Sequence, residues 1–426
     1  MERGNSLKNF FNPKTIAIVG ASNNPKKVGN ILMQKLSNFR GKSIPINIKH
    51  KKILGKKAYP SLIEYPKKID LAIIAIPAKN VKEILEECGK KQIKNVIVIS
   101  AGFSEIGNHK LEEEIIQIAK NYNINLLGPN CFGIANPYLN LDTTFAKVAT
   151  NKGDIAFISQ SGALWSYIAD FSLGKFGFSG FVSLGNMAGL DFYDFIDYFD
   201  KDKKTKVIVL YIERLKQGKK FIEECKNSKK EIIVVKAGKT KKGSKAAISH
   251  TGSLATDFEI YKGAFKQANV KLVDSLFSAF NYARLKIKPK GNRIVIVTNA
   301  GGAGALMTDY CEENNLKVIK LPKKFKSANP IDLIGTASAK DYESVLKKLR
   351  KENFYDSVIV LLTPQSMSEP EKTARAVIEF SKRKSVVVCF LGEESVKEAK
   401  RILEEAGVLC FDRLTHVAEV LGNKNV

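Results

Sequence analysis

No C-x-x-C pair occurs among the six cysteines (Cys88, Cys131, Cys225, Cys311, Cys389, Cys410), and most of them sit in apolar surroundings. That scatter excludes a zinc ribbon or a disulfide framework and suits reduced thiols, so no metal site is expected on this chain. No run of eighteen apolar residues is present, and residues 1–11 lack the charged-then-apolar order of a signal peptide. The expectation is a cytoplasmic chain without a membrane span. A Walker-type phosphate loop is missing too: Gly238 and Gly243 have its spacing, but Ser244 follows where lysine is required. Nor does any basic arm or RNA-binding aromatic motif accompany the formal charge of +26, from 69 Lys and Arg against 43 Asp and Glu. The lysines are spread over the whole length, the pattern of a solvated surface rather than of a nucleic-acid interface.

What is present is a rhythm. Runs of β-branched residues at 16–19, 71–76, 96–99, 155–158, 207–211, 232–235, 294–297, 358–362 and 386–390 alternate with segments of helical period. Continuous apolar runs of this length read as strands buried on both faces, joined by crossover helices, so the fold class is α/β with parallel sheets. At 426 residues and 44% apolar composition the chain can bury two or three cores. Turn chemistry at Gly128-Pro-Asn-Cys-Phe-Gly133 and Asn136-Pro137, and again at 286–292, predicts domains at 1–137, 138–290 and 291–426. An internal similarity supports the division. Asp154-Ile-Ala-Phe-Ile-Ser-Gln-Ser-Gly-Ala-Leu164 and Arg293-Ile-Val-Ile-Val-Thr-Asn-Ala-Gly-Gly-Ala303 share the order strand, hydroxyl residue, two residues, glycine, helix. Each would present unpaired helix N–H groups to an anion.

The first domain opens with Ile16-Ala-Ile-Val-Gly20-Ala-Ser22, and Gly29 leads into a helix expected from Asn30. Glycine after a first strand lets a phosphate approach the backbone, and Ser22 adds a hydroxyl. The run is not G-x-G-x-x-G, so a tight strand-to-helix turn is the alternative. A nicotinamide site would carry an acid after the second strand, whereas that strand, expected over 43–49, ends in Lys49. Of the four histidines, His50, His109 and His416 suit surface roles. His250 lies in Lys245-Ala-Ala-Ile-Ser-His-Thr-Gly-Ser-Leu254, among small and hydroxyl residues after a basic loop. That context fits either an accessible nucleophilic nitrogen or a helix cap with a surface histidine.

Val19-Gly-Ala-Ser22, Gly128-Pro-Asn-Cys131, Ser159-Gln-Ser-Gly162, Tyr211-Ile-Glu213, Ser249-His-Thr-Gly-Ser253, Thr298-Asn-Ala-Gly-Gly302 and Asn329-Pro-Ile-Asp332 occur here in one order. Over nearly the whole chain this resembles the α subunit of the ADP-forming acetyl-CoA synthetases, relatives of succinyl-CoA synthetase. The resemblance implies a Rossmann-like CoA-binding domain followed by two flavodoxin-like domains. It implies Gly20, Ala21, Ser22 and Gly29 near the CoA phosphates, Lys49 near a charged part of CoA, and Pro77, Ile99, Ser100 and Ala101 along the pantetheine arm. It makes His250 the residue phosphorylated by an acyl phosphate, Glu213 the carboxylate that orients its imidazole, and Ser161, Gly162, Gly301, Gly302 and Ala303 the helix starts that hold the phosphoryl group. Arg214 stands where such relatives commonly have glycine, and Ile48 where they have proline. The resemblance further implies a separate ATP-grasp β subunit that holds ADP or ATP and Mg²⁺, in an α2β2 assembly, because all three units here read as parallel α/β without an antiparallel pattern. A non-catalytic CoA-binding or regulatory protein is the competing reading, and a nicotinamide-dependent oxidoreductase a more distant one.

Overall fold

The β-branched runs form strands Thr15–Val19, Leu71–Ile74, Asn95–Val98, Lys152–Ser159, Val207–Ile212, Glu231–Lys236, Arg293–Thr298, Ser357–Leu362 and Val386–Phe390 in a computed structural model that describes residues 7–244 and 257–422. Their middles are buried throughout, as at Leu71, Ala72, Ile73 and Ile74, because helices cover both faces of each sheet. Two compact units result, Met1–Lys271 and Leu272–Val426.

In the first unit, one sheet runs Lys42–Ile46, Thr15–Val19, Leu71–Ile74, Asn95–Val98, Asn125–Leu127, with every pairing parallel. Apart from the hairpin Lys52–Ile53 with Lys56–Lys57, this is the doubly wound order 2-1-3-4-5. The order reverses between the first and third of these strands, and the crevice outside their carboxyl ends is where such sheets receive ligands. Ala17, Val19, Leu62, Leu85, Val96, Phe103 and Ile115 make up part of its core.

The second sheet of this unit places Glu231–Lys236, Val207–Ile212, Lys152–Ser159 and Phe178–Ser183 side by side, the order 2-1-3-4 again. Trp165, on the helix Ala163–Phe171, stacks on Phe181 at 4.0 Å. Two strands correct the expectation of purely parallel units: Ile134–Asn136 pairs antiparallel with Phe178–Ser183 and then with Leu141–Asp142. The turn at Pro137–Leu139 is too short for a crossover, so only antiparallel pairing is open between Ile134–Asn136 and Leu141–Asp142.

The second unit carries Lys317–Val318, Arg293–Thr298, Ser357–Leu362, Val386–Phe390 and Cys410–Phe411, the same 2-1-3-4-5 order apart from the short strand Ile331–Asp332, which pairs parallel with the end of Arg293–Thr298. Tyr342, Leu346, Val377, Phe380 and Leu403 pack against it from the helices. Among the described residues no helix is long and apolar enough to cross a membrane.

Candidate functional site

The crevice starts at Gly20, whose φ of +91° lies in the left-handed region that L side chains avoid. A Cβ there would stand 2.3 Å from the Ala75 carbonyl oxygen, and one at Gly29 would stand 2.0 Å from the Gly20 carbonyl oxygen. Both glycines are thus required by close backbone approach. The helix begins at Val28 rather than Asn30, so Gly29 lies in its first turn. Asn30, buried there, donates through Nδ2 to the Ser22 carbonyl at 2.9 Å and ties the turn to the helix. The second strand stops at Ile46, short of the expected Lys49. Asn47 diverts the chain: its Oδ1 accepts the N–H groups of Lys49 and His50 at 2.7 and 2.9 Å, while its Nδ2 donates to the Ala21 carbonyl at 2.8 Å.

A cleft of about 670 Å³ opens at these strand ends. It brings together Gly20, Gly29, Pro77, Ile99, Ser100 and Ala101 on one side and Ser161, Gly162 and Glu213 on the other. Ala21, Ser22 and Lys49 are not among the residues that line it. Gly301, Gly302 and Ala303 belong to the second unit, and His250 lies outside the described residues. Ser100 serves the wall itself, since its hydroxyl accepts from the Ile76 N–H at 3.2 Å and donates to the Ile74 carbonyl at 3.4 Å. Cys131 also lines the cleft, but burial pushes its thiol up to about 12, which rules it out as a nucleophile near neutral pH.

The opposite wall rests on the Ser-Gln-Ser-Gly segment. Ser159 Oγ accepts the Ser161 N–H at 3.1 Å and donates to the Ser161 carbonyl at 2.8 Å, closing the turn that starts the helix Ala163–Phe171. Gln160 Oε1 accepts the N–H groups of Glu213 at 2.5 Å and Arg214 at 2.9 Å, fixing the backbone that carries the candidate carboxylate. The second unit repeats the device: Thr298 Oγ1 bonds both the N–H and the carbonyl of Ala300, and Asn299 Oδ1 accepts the Thr363 N–H at 2.9 Å. There the helix Gly301–Glu313 starts with Gly301 and Gly302 exposed, and a side chain at Gly302 would meet nothing within 4 Å. Aligned N–H groups at such helix starts favour an anion.

Charge is arranged beneath this wall. Buried Asn186 donates to Glu105 at 2.7 Å and Glu112 at 2.8 Å. Burial raises Glu105, but the Gly102 N–H, Asn186 and the Phe103 N–H outweigh it and hold the carboxyl below its usual range. Lys236 is 5% exposed and donates to the carbonyls of Glu213, at 2.8 Å, and Ala237. Burial pulls its ammonium down to about 8 against the opposing effect of Glu213. Between pH 8 and 10.5 the unfolded chain therefore holds a proton that the folded chain has shed, and this lysine makes stability rise with pH across that window. Denaturant titrations of wild type and Lys236→Met should show their stability difference growing in favour of wild type from pH 8 upward. A pH-independent difference would show that the lysine titrates normally.

Sequence reasoning missed Gln160, Asn186 and Lys27, the last lining the cleft as the residue before the helix Val28–Lys35. Only Gln160 had a signal, the amide common to the two repeated segments; the groups to which the Asn186 side chain donates lie 74 to 82 residues away. Among the described residues no group of three or more His, Cys, Asp or Glu side chains could hold a metal ion.

Residues 14–137 match the model of a CoA binding domain, and residues 152–286 that of a succinyl-CoA ligase like flavodoxin domain. The chain is 41% identical over 423 residues to acetate–CoA ligase [ADP-forming] I of Archaeoglobus fulgidus, covering 95% of this chain and 61% of that protein. Over 440 residues it is 41% identical to the α subunit of acetate–CoA ligase [ADP-forming] II of Pyrococcus furiosus, covering 97% of this chain and 96% of that subunit. It also matches a solved structure of the dinucleotide forming acetyl-coenzyme A synthetase 1 of Ca. Korarchaeum cryptofilum, in complex with phosphate and ADP, with a TM-score of 0.89 and 35% identity over 97% of this chain and 95% of that one. An α/β chain with a glycine-built cleft at its strand ends, this similar over nearly its full length, belongs to the family of the ADP-forming acetate–CoA ligases.

Proposed function

We propose that this chain is the acyl-transferring, α-type component of an ADP-forming acyl-CoA synthetase, an acid–thiol ligase interconverting acyl-CoA, ADP and phosphate with the free acid, ATP and CoA. Residues 1–137 hold CoA, 138–290 carry the histidine loop, and 291–426 contribute the second helix start. A phosphate oxygen attacks the thioester carbonyl, the C–S bond breaks, and the CoA thiolate leaves with the electron pair. A ring nitrogen of His250 then attacks the phosphorus of the acyl phosphate, releasing the carboxylate of the free acid. The phosphohistidine passes its phosphoryl group to ADP. Glu213 orients the imidazole, and the helix starts at Ser161-Gly162 and Gly301-Gly302-Ala303 offset the charge of the phosphoryl group. Gly20, Ala21, Ser22, Gly29 and Lys49 serve the CoA phosphates, and Pro77 with Ile99, Ser100 and Ala101 the pantetheine arm. The Pyrococcus furiosus relative is named as an α subunit, which favours a partner for this chain: an ATP-grasp β subunit holding the nucleotide and Mg²⁺, assembled as α2β2 in the cytoplasm.

One observation carries the reading: Ser161, Gly162 and Glu213 line the same cleft as Gly20, Gly29 and residues 99–101. Calorimetry on the isolated chain should show CoA binding in preference to NAD, and the chain alone should form no ATP from acetyl-CoA, ADP and phosphate. Preference for NAD would overturn the assignment. CoA binding with no turnover even beside the cognate partner would leave a non-catalytic CoA-binding protein.

A further inference from the structure

Arg214 has no role in the reaction as described, yet its side chain stands in the wall of the cleft with Gln160, Ser161, Gly162 and Glu213. Its own N–H is fixed on Gln160 Oε1 at 2.9 Å, and Gln160 directly precedes the helix start at Ser161 and Gly162. Nη2 donates to the Asn186 carbonyl at 3.2 Å. The buried Nε has no hydrogen-bond partner among the described residues, and none of their carboxylates is within ion-pair distance. Two of the nearby acids are engaged elsewhere: Glu112 accepts from Ser104 and Asn186, and Asp191 caps the helix Phe192–Lys201. Burial pulls the guanidinium down, because the hydration lost by a half-buried cation is offset only in part by the charges of Glu112, Glu213 and Asp191. Such a group is a costly feature in an empty wall and a useful one opposite an anion.

We propose that Arg214 binds the inorganic phosphate that attacks the thioester and stays on it as it becomes the acyl phosphate. Planar guanidinium N–H groups match phosphate oxygens in pairs, and a charged site away from bulk water strengthens each bond. Phosphate is favoured over the acyl chain because one glutamine side chain fixes Arg214 while the adjoining residues supply the anion-ready helix start. The guanidinium gives up no proton: the bond from phosphate oxygen to carbonyl carbon forms, the C–S bond breaks, and the added charge is met by Arg214 together with the helix N–H groups.

This inference rests on the proposed function, and the test separates the two. In the assembled enzyme assayed with acetyl-CoA, ADP and phosphate, Arg214→Gln should raise the KM for phosphate roughly tenfold or more, with the KM values for acetyl-CoA and ADP near wild type and Arg214→Lys in between. An unchanged phosphate KM overturns the proposal, and so does a rise confined to the acyl-CoA KM, which would assign the guanidinium to the acyl chain. Should the wild-type complex show no turnover, the functional reading has failed and thermal unfolding in a phosphate titration decides for Arg214. Phosphate should then raise the Tm of the wild-type chain but not of Arg214→Gln; equal shifts overturn it.

Discussion

Gly20→Val should remove CoA binding. Valine at a φ of +91° costs about 1–2 kcal/mol in backbone strain, and its first side-chain carbon would stand 2.3 Å from the Ala75 carbonyl oxygen. Relief requires the turn to move away from 75–77, which is one wall of the cleft. It would also move the helix that approaches Gly20 through Gly29. With overpacking included, the variant should lose about 2–5 kcal/mol of stability, and CoA affinity should fall by roughly a hundredfold or more, since a displacement that closes the cleft forfeits several contacts at once. Gly302→Val is the internal comparison: with nothing within 4 Å of its Cβ, it should leave folding and CoA affinity intact. Calorimetry with CoA beside thermal unfolding of both variants checks the pair. A folded Gly20→Val chain with wild-type CoA affinity would remove the crevice from the account.

The other large effect is expected at His250. In the assembled enzyme, His250→Ala should lower turnover by about four orders of magnitude or more, because the proposed route passes the phosphoryl group through its imidazole. CoA affinity should stay near wild type, since the Gly20 turn and residues 99–101 are built by a separate sheet. Rate assays paired with CoA calorimetry check both halves. Activity close to wild type would mean direct transfer from acyl phosphate to ADP.

The strands that carry the fold were legible because burial on both faces forces continuous β-branched runs, as at 71–74 and 358–362. Phe178–Ser183 was not: it is just as buried, but its one β-branched residue, Val182, stands among two phenylalanines, two serines and a glycine, and Gly180 is needed because a Cβ there would stand 2.7 Å from the Phe199 ring. The second strand was read too long because Asn47, a turn former, lies inside an apolar alternation that sequence period alone cannot interrupt. The glycines and the repeated Ser-Gln-Ser-Gly device were visible, since backbone demands leave a mark in residue type. What fixes Glu213 was not visible. Its amide is held by Gln160 from 53 residues away and its carbonyl by Lys236, and such pairings exist only once the sheet has placed Lys152–Ser159 beside Val207–Ile212.

The central claim is that a phosphoryl group rests on His250. Incubating the chain with acetyl-CoA and ³²P-labelled phosphate, without nucleotide, and mapping the labelled peptide tests it most directly. The account predicts an acid-labile, base-stable label on the peptide containing His250, absent in His250→Ala and discharged as ATP when ADP and the cognate subunit are added. A label on another residue, or equal labelling of His250→Ala, would contradict it.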